Sequence, residues 1–335
     1  MPNLVMRFDL RNVTQETNAR LYQDALAIAA WADDHGFAAV QLAEHHGSDD
    51  GYVPSPLIFG GALAARTSHL ALRFVLVLPF YDPVRLAEDL AVLDIVSNGR
   101  VVPILAAGYA PHEFAMYGVA LGDRARIMAE GVQALKDAWT GEPFAYRGRP
   151  ARVMPRPLQG ATMPIWMGGT SPAGARRAAD LADRFYSNDS VLWDIFRERK
   201  KTLGTDPGPA PSIGTGFFIV AEDPDREWAR MGPYIAAELD AYSRFGASAR
   251  QLLGDSMADA DKAAEAPRTI DLDAIRAMGA YPILTPDEAV AHVRGLGPND
   301  DLSLHPLISG VPAEIAWEQL AVFERYVLPH LGARS

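Results

Sequence analysis

The chain has no cysteine. Disulfides, thiolate zinc sites and cysteine nucleophiles are therefore excluded, and the lack of them suits a reducing cytoplasm. No apolar stretch approaches the roughly 18–20 residues that a membrane-spanning helix needs. The opening residues, MPNLVMRFDL, show neither the basic start nor the apolar core of a signal peptide. Positive charge is scarce: 31 Lys and Arg face 42 Asp and Glu, a formal net charge of −11 without any basic run. That balance argues against nucleic acid as a partner, although an acidic chain can still hold a phosphate at one local site. Also missing are a G-x-G-x-x-G after the first strand, a Gly-Lys-Ser/Thr phosphate loop, H-E-x-x-H and a G-x-S-x-G nucleophile elbow. The expectation is a cytoplasmic protein with no membrane segment and a small-molecule function.

What remains is an alternation. At 335 residues and 49% hydrophobic, the chain can bury a large core. Strand-like runs (4–10, 38–43, 70–79, 100–108, 163–169, 184–188, 211–221, 301–309) alternate with helical ones, and the punctuation is chemical. Ser55-Pro56, Asp82-Pro83 and Ser171-Pro172 read as N-caps followed by proline at the first helical position, Asp123 as a further cap, and Gly36, Gly99 and Gly141 as stops. LALRFVLVLP is continuously apolar, as a parallel strand buried on both faces should be. About eight strand–helix units with no helix-free hairpin predict a parallel sheet closed into a (β/α)8 TIM barrel, one domain over 1–335. Residues 246–283 break the rhythm after the seventh helix and are expected to be a mobile lid insertion, or else a plain surface excursion.

In such a barrel the chemistry sits beyond the C-terminal strand ends. Glu44–His46, Phe80–Asp82, Ala107–Tyr109, Gly168–Ser171, Ser187–Asp189 and His305 then share one rim. Neighbouring residues on a strand point to opposite faces, so His45 and His46 are a poor pair for one metal ion. Asp49, Asp50 or His305 could add ligands, but no metal is expected. One histidine should instead face the lumen, where its pKa range suits proton transfer. Glu44 either orients a histidine or closes a hydrogen bond at the strand end. WMGGTSPAG presents two glycines and two hydroxyls at a helix start, a fit for a phosphate. Tyr81, Tyr109, Phe114 and Tyr117 could border a planar ring.

Taken in order, GFAAVQLAEHH, ARTSHLALRFVLVLPFYDPVRLAEDLAVLDIVSNGR, GYAPHEFAMYGV, PIWMGGTSPAGARRAADLADRFY and LHPLISGVPAEIAWEQLAVFERYVLP resemble the bacterial luciferase-like, flavin-dependent monooxygenase family over nearly the whole chain. The resemblance implies the same barrel and reduced FMN delivered by a separate flavin reductase. It also implies reaction with O2 to a flavin C4a-peroxide that oxidises a small, partly apolar organic substrate. By position it implies His45 as the acid/base and Gly169 and Thr170 at the phosphate; the neighbouring Gly168 and Ser171 are added to the phosphate turn, and Glu44 to the catalytic corner beside His45. It places Ala107 and Tyr109 at the cofactor and a non-prolyl cis peptide at Phe74–Val75 beside the flavin ring. Ala107 stands where the family carries a phosphate-binding Arg, and Ala173 replaces a hydroxyl, which leaves Arg124 or Arg176 as substitutes. Relatives of this shape use the deazaflavin F420 for hydride transfer, and some are non-catalytic flavin-binding proteins; both stay as alternatives. The family's usual pairing of barrels predicts a homodimer.

Overall fold

The computed structural model describes residues 1–12, 18–213, 216–253, 271–277 and 279–331. Its centre is a curled sheet of seven parallel strands in the order β11-β1-β2-β3-β4-β7-β8. These are β1 (Asn3–Phe8), β2 (Ala39–Ala43), β3 (Ala71–Val77), β4 (Val101–Ala106), β7 (Trp166–Gly168), β8 (Arg184–Tyr186) and β11 (Asp301–Leu304). Helices α1 (Asn18–Asp34), α2 (Pro56–Arg66), α3 (Pro83–Val96), α5 (Arg124–Trp139), α6 (Pro172–Leu181), α7 (Ser190–Thr202) and the closing α11 (Ala313–Tyr326) cover the outer face. Their apolar stripes meet the outward residues of the strands, such as Phe8, Leu42, Leu72 and Phe74, in one continuous core.

The punctuation of the chain is built mostly as its chemistry dictates. Asp82 accepts from the N–H groups of Val84 and Arg85 at the start of α3, and Ser171 from that of Gly174 at the start of α6. Ser55 and Asp123 occupy cap positions but make no side-chain cap bond. Gly99 ends the α3 segment with φ +79°, a conformation only glycine enters without strain.

Three expectations change. The stretch 142–163 contains an antiparallel hairpin, β5 (Phe144–Tyr146) with β6 (Arg149–Ala151), contrary to a chain without hairpins. Its turn, Arg147-Gly148, has positive φ at both residues, the geometry that matches strand twist, and an Arg in the first place hides the signal. A short α4 (Pro111–Met116) follows β4. The ring of eight paired strands is not complete among the described residues. Only Ile219–Val220 of the seventh unit form a strand, β9, and it pairs with β10 (Ile283–Leu284) rather than with β8 or β11. Gly216, at φ +77° just before β9, turns the chain where a longer strand would need extended backbone.

The expected lid also divides. Helix α8 (Pro224–Leu253) runs through its first part, α9 (Leu272–Ala277) lies near its end, and 254–270 lie outside the described residues. Then α10 (Pro286–Arg294) starts on a reciprocal cap between Thr285 and Glu288. Among the described residues no helix is long and apolar enough to cross a membrane.

Candidate active site

Strand alternation fixes what faces the lumen. The register sets Arg7, Gln41 and Arg73 side by side on β1, β2 and β3, and Arg73 reaches across to Asp301 of β11 at 2.6 Å. Two residues further along, the same face presents Ala43 beside Val75, and one layer beyond them Ala106 and Gly168, all small and all partly exposed. Four successive strands therefore leave a shallow, open floor at the mouth, bordered by Ala107 and Gly169 on the adjacent ends of β4 and β7.

Beyond Ala43 the chain delivers Glu44, His45 and His46, all buried. Glu44 takes the second of its two anticipated roles. Its Oε1 accepts from the Val77 N–H at 2.6 Å and its Oε2 from the Tyr81 phenol, so it ties β2 to the end of β3. Burial and this carboxylate hold the Tyr81 phenol far above its ordinary range.

The carboxylate that serves the histidines is Glu113, in the first turn of α4 and 1% exposed. Its Oε1 lies 2.8 Å from His45 Nδ1 and also accepts from the His46 N–H at 2.8 Å. A carboxylate only accepts, so Nδ1 carries the proton and Nε2 is the basic nitrogen. That nitrogen lies 3.4 Å from the hydroxyl of Tyr109, which is 43% exposed at the mouth. Burial, then Tyr242 and Glu113, push the Tyr109 phenol up, so it remains a donor at neutral pH. The His45 ring is also met edge-on by Tyr52 and Tyr242, with centroids at 5.0 and 6.0 Å. His46 packs away against Phe80 and Tyr117, its Nδ1 2.9 Å from the Tyr117 hydroxyl. Of the four rim aromatics, Tyr109 alone meets His45. Tyr81 serves Glu44, Phe114 packs edge-on against Phe80, and Tyr117 stacks on Phe80 at 4.6 Å.

The cofactor candidates separate. Val75, Ala107, Tyr109, Gly168 and Gly169 border the floor. Thr170 and Ser171 stand exposed at the start of α6. A Cβ on Gly169 would come within 3.3 Å of the Phe185 ring and 3.5 Å of the Gly174 backbone, so a side chain there would make the ring give by a few tenths of an ångström. The Phe74 side chain does not face the floor: it is fully buried on the outer face, with its ring under Gly60 of α2. The Phe74–Val75 peptide is trans; among the described residues the cis bond is Met154–Pro155. Arg124 donates to the Leu121 carbonyl, and Arg176 is exposed on α6.

At the ends of β1 and β11, next to β2, His305 meets Asp9 and Glu238 rather than Asp49 or the histidine pair, with candidate ligand atoms within 4.8 Å of one another. Arg11 lies 3.5 Å from Asp9 and Arg7 3.5 Å from Glu238, so each of these carboxylates has a guanidinium partner. Burial would raise Asp9, but His305, Arg11 and Arg7 outweigh it and bring its carboxyl down to about 2.

The model of the luciferase-like monooxygenases matches residues 5–297. The chain belongs to the luciferase-like monooxygenase family. This family member is 31% identical to the oxygenase component of the flavin-dependent trigonelline monooxygenase of Acinetobacter baylyi, over 50% of each chain. It spans about half the length of the curated relatives it matches at such identities. The FMNH2-dependent dimethylsulfone monooxygenase of Pseudomonas fluorescens is 26% identical over 75% of this chain and 72% of that protein. The F420-dependent glucose-6-phosphate dehydrogenase of Nakamurella multipartita is 26% identical over 91% of both. Two solved structures share the fold. Monooxygenase RslO1 of Streptomyces bottropensis has TM-score 0.76 and 24% identity, over 98% of this chain and all of that one. The oxygenating constituent of 3,6-diketocamphane monooxygenase of Pseudomonas putida, in complex with FMN, has TM-score 0.74 and 17% identity over 98% of both. Glu113 went unread in the sequence because a lone Glu three residues into a short helix carries no spacing signal; only the fold brings it 2.8 Å from His45.

Proposed function

We propose that this protein is the oxygenase of a two-component flavin monooxygenase, taking reduced FMN from a separate reductase and oxidising a small, partly apolar molecule. Family membership and the FMNH2-dependent relatives support this reading. The observation that carries it is the Glu113–His45 pair beside an open floor of small residues.

Bound there, reduced flavin supplies the electrons that activate O2. The chain's own residues do the rest. Ala43, Val75 and Ala106 leave room for a flat ring, and the Gly168–Ser171 turn would receive the phosphate with backbone N–H groups and two hydroxyls. Ala107 contributes no cation, so the phosphate would be held chiefly by the turn. Glu113 fixes the His45 tautomer, His45 Nε2 exchanges a proton with the reacting oxygen, and Tyr109 supplies a hydroxyl donor at the same spot.

A hydride-transfer reading with F420 has its own support in the dehydrogenase relative that covers nine-tenths of both chains. Anaerobic titration with FMNH2 and, in parallel, reduced F420, followed by admission of air, separates the two. The oxygenase reading expects tighter binding of FMNH2 and a long-lived absorbing species in air. Preference for F420 without such a species would move the protein to hydride transfer, and binding of neither to a non-catalytic role.

A further inference from the structure

The side of the mouth where β9 stands outside the main sheet is closed by side chains instead of strand pairing. Arg7 of β1 is central. Its Nη2 donates to the Tyr242 hydroxyl at 3.0 Å and to Glu238 Oε1 at 3.5 Å, both on α8, and its Nη1 to the Gly216 carbonyl at 3.5 Å. The chain presses close here: a Cβ on Gly216 would lie 2.6 Å from that Nη1. Glu238 is 3% exposed and its second oxygen accepts from the Tyr281 phenol at 2.8 Å. Arg11 adds a bond to the Glu238 carbonyl at 3.4 Å and lays its guanidinium over the Tyr242 and Tyr52 rings at 4.3 and 4.7 Å. Those same two rings meet His45.

We propose that Arg7 and Glu238 are positioning residues: together they hold Tyr242 against His45 and so set the wall facing the flavin floor. This rests on His45 being the reacting base. The argument is geometric. Tyr242 comes from a helix that no strand pairing joins to this side of the barrel, and its hydroxyl is gripped by a guanidinium whose carboxylate partner sits one turn earlier on the same helix. Arg7, only partly exposed, stays charged against the desolvation it suffers because Tyr242, Glu238, Tyr52 and Asp9 surround it. Removing one partner of a buried pair leaves the other uncompensated, so the grip should fail as a unit. Nothing in the proton transfer at His45 itself calls on Glu238; it reaches the site through Arg7 to the Tyr242 hydroxyl and through Arg11 to the Tyr242 and Tyr52 rings.

The experiment reads His45 directly by NMR of the isotope-labelled imidazoles of the whole protein, with His45→Gln to assign the signal. The chain has eight histidines, so the spectrum is resolvable. In Glu238→Ala the His45 ring signal should move toward its position in Tyr242→Ala, and the double variant should move no further. Glu238→Asp keeps the charge but is one methylene short, and should show the same displacement; Glu238→Gln keeps the length but has a single acceptor oxygen for the two donors, Arg7 and Tyr281, that Glu238 serves with two, and should restore the signal only in part. With FMNH2 and air, kcat should fall about 10- to 100-fold while the KM for FMNH2 stays within about twofold. A His45 signal unmoved in both Glu238→Ala and Glu238→Asp, whatever happens to their melting temperatures, would overturn the proposal. The NMR measurement needs no flavin, so failure of FMNH2 to bind would sink the oxygenase reading and leave this result standing on its own.

Discussion

At the scale of single residues, two buried carboxylates within reach of one pair of histidines do different work, and the identity of their partners tells them apart. Glu44 spends both oxygens on a backbone N–H and a phenol, while Glu113 gives one oxygen to His45 Nδ1 and the His46 N–H together. Glu113→Gln keeps the shape but offers an amide that can also donate, which removes the preference for Nδ1–H. The expected result is a kcat lower by about 100-fold or more, the scale of losing a positioned acid/base, with flavin affinity nearly unchanged. His45→Ala should fall at least as far. A Glu113→Gln enzyme with full turnover and the same His45 tautomer by 15N NMR would remove Glu113 from the mechanism. The rim address of the histidine pair was legible in the sequence because it lies just past an apolar run on a parallel strand, while the choice of His45 over His46 came from the family resemblance. The partner of His45 was not legible, since Glu113 lies 68 residues away and only the packing of α4 on the mouth joins them.

At the scale of elements, caps and stops were readable because they are local chemistry: an Asp or Ser before Pro, a Gly after the last apolar turn. Pairing was less so. The Arg147-Gly148 hairpin and the break before β9 depend on positive φ at residues that other contexts leave extended. The facing of one residue was not legible. Phe74 lies on a strand apolar on both faces, so composition cannot say which face it takes; the register with Arg73 settles that it faces α2. That placement has a mechanical consequence. A Cβ on Gly60 would lie 2.5 Å from the Phe74 ring, with Leu93 at 3.3 Å behind it. Gly60→Ala should therefore strain the seat of α2 by about 1–3 kcal/mol, against a gain of up to about 1 kcal/mol in helix propensity. Urea unfolding should show a net loss of about 1 kcal/mol. Adding Phe74→Leu should recover part of it, because the smaller chain clears the clash and the two changes are then non-additive. FMNH2 affinity should be the same in all three variants; a strong change on Phe74→Leu would return that residue to the cofactor site.

At the scale of the whole molecule, one surface does not look like the outside of a finished protein. Along α2 and α3, Ile58 is 81% exposed, and Val92, Ile95 and Val96 are exposed beside it, with Met154 close to the same groove. Exposed aliphatics at this density on neighbouring helices mark an association surface rather than scattered surface residues. The groove they border, about 680 Å³, also contains Arg85, which pairs within its own helix with Glu88 and Asp89. Such a patch carries both charges and an apolar centre, so it can complement itself about a two-fold axis. A second copy of this chain is therefore the expected occupant, in agreement with the pairing implied by the family resemblance. Sedimentation velocity should give a dimer, and Ile58→Asp should shift it to monomer, because a carboxylate at the centre of a desolvated interface has no partner there. The melting temperature of the monomeric variant should fall with dilution no further, whereas that of the parent should rise with protein concentration, as subunit association stabilises the folded state by mass action. A parent that sediments as a monomer at all concentrations would leave this face to a different partner. A dimer untouched by Ile58→Asp would place the interface elsewhere on the barrel.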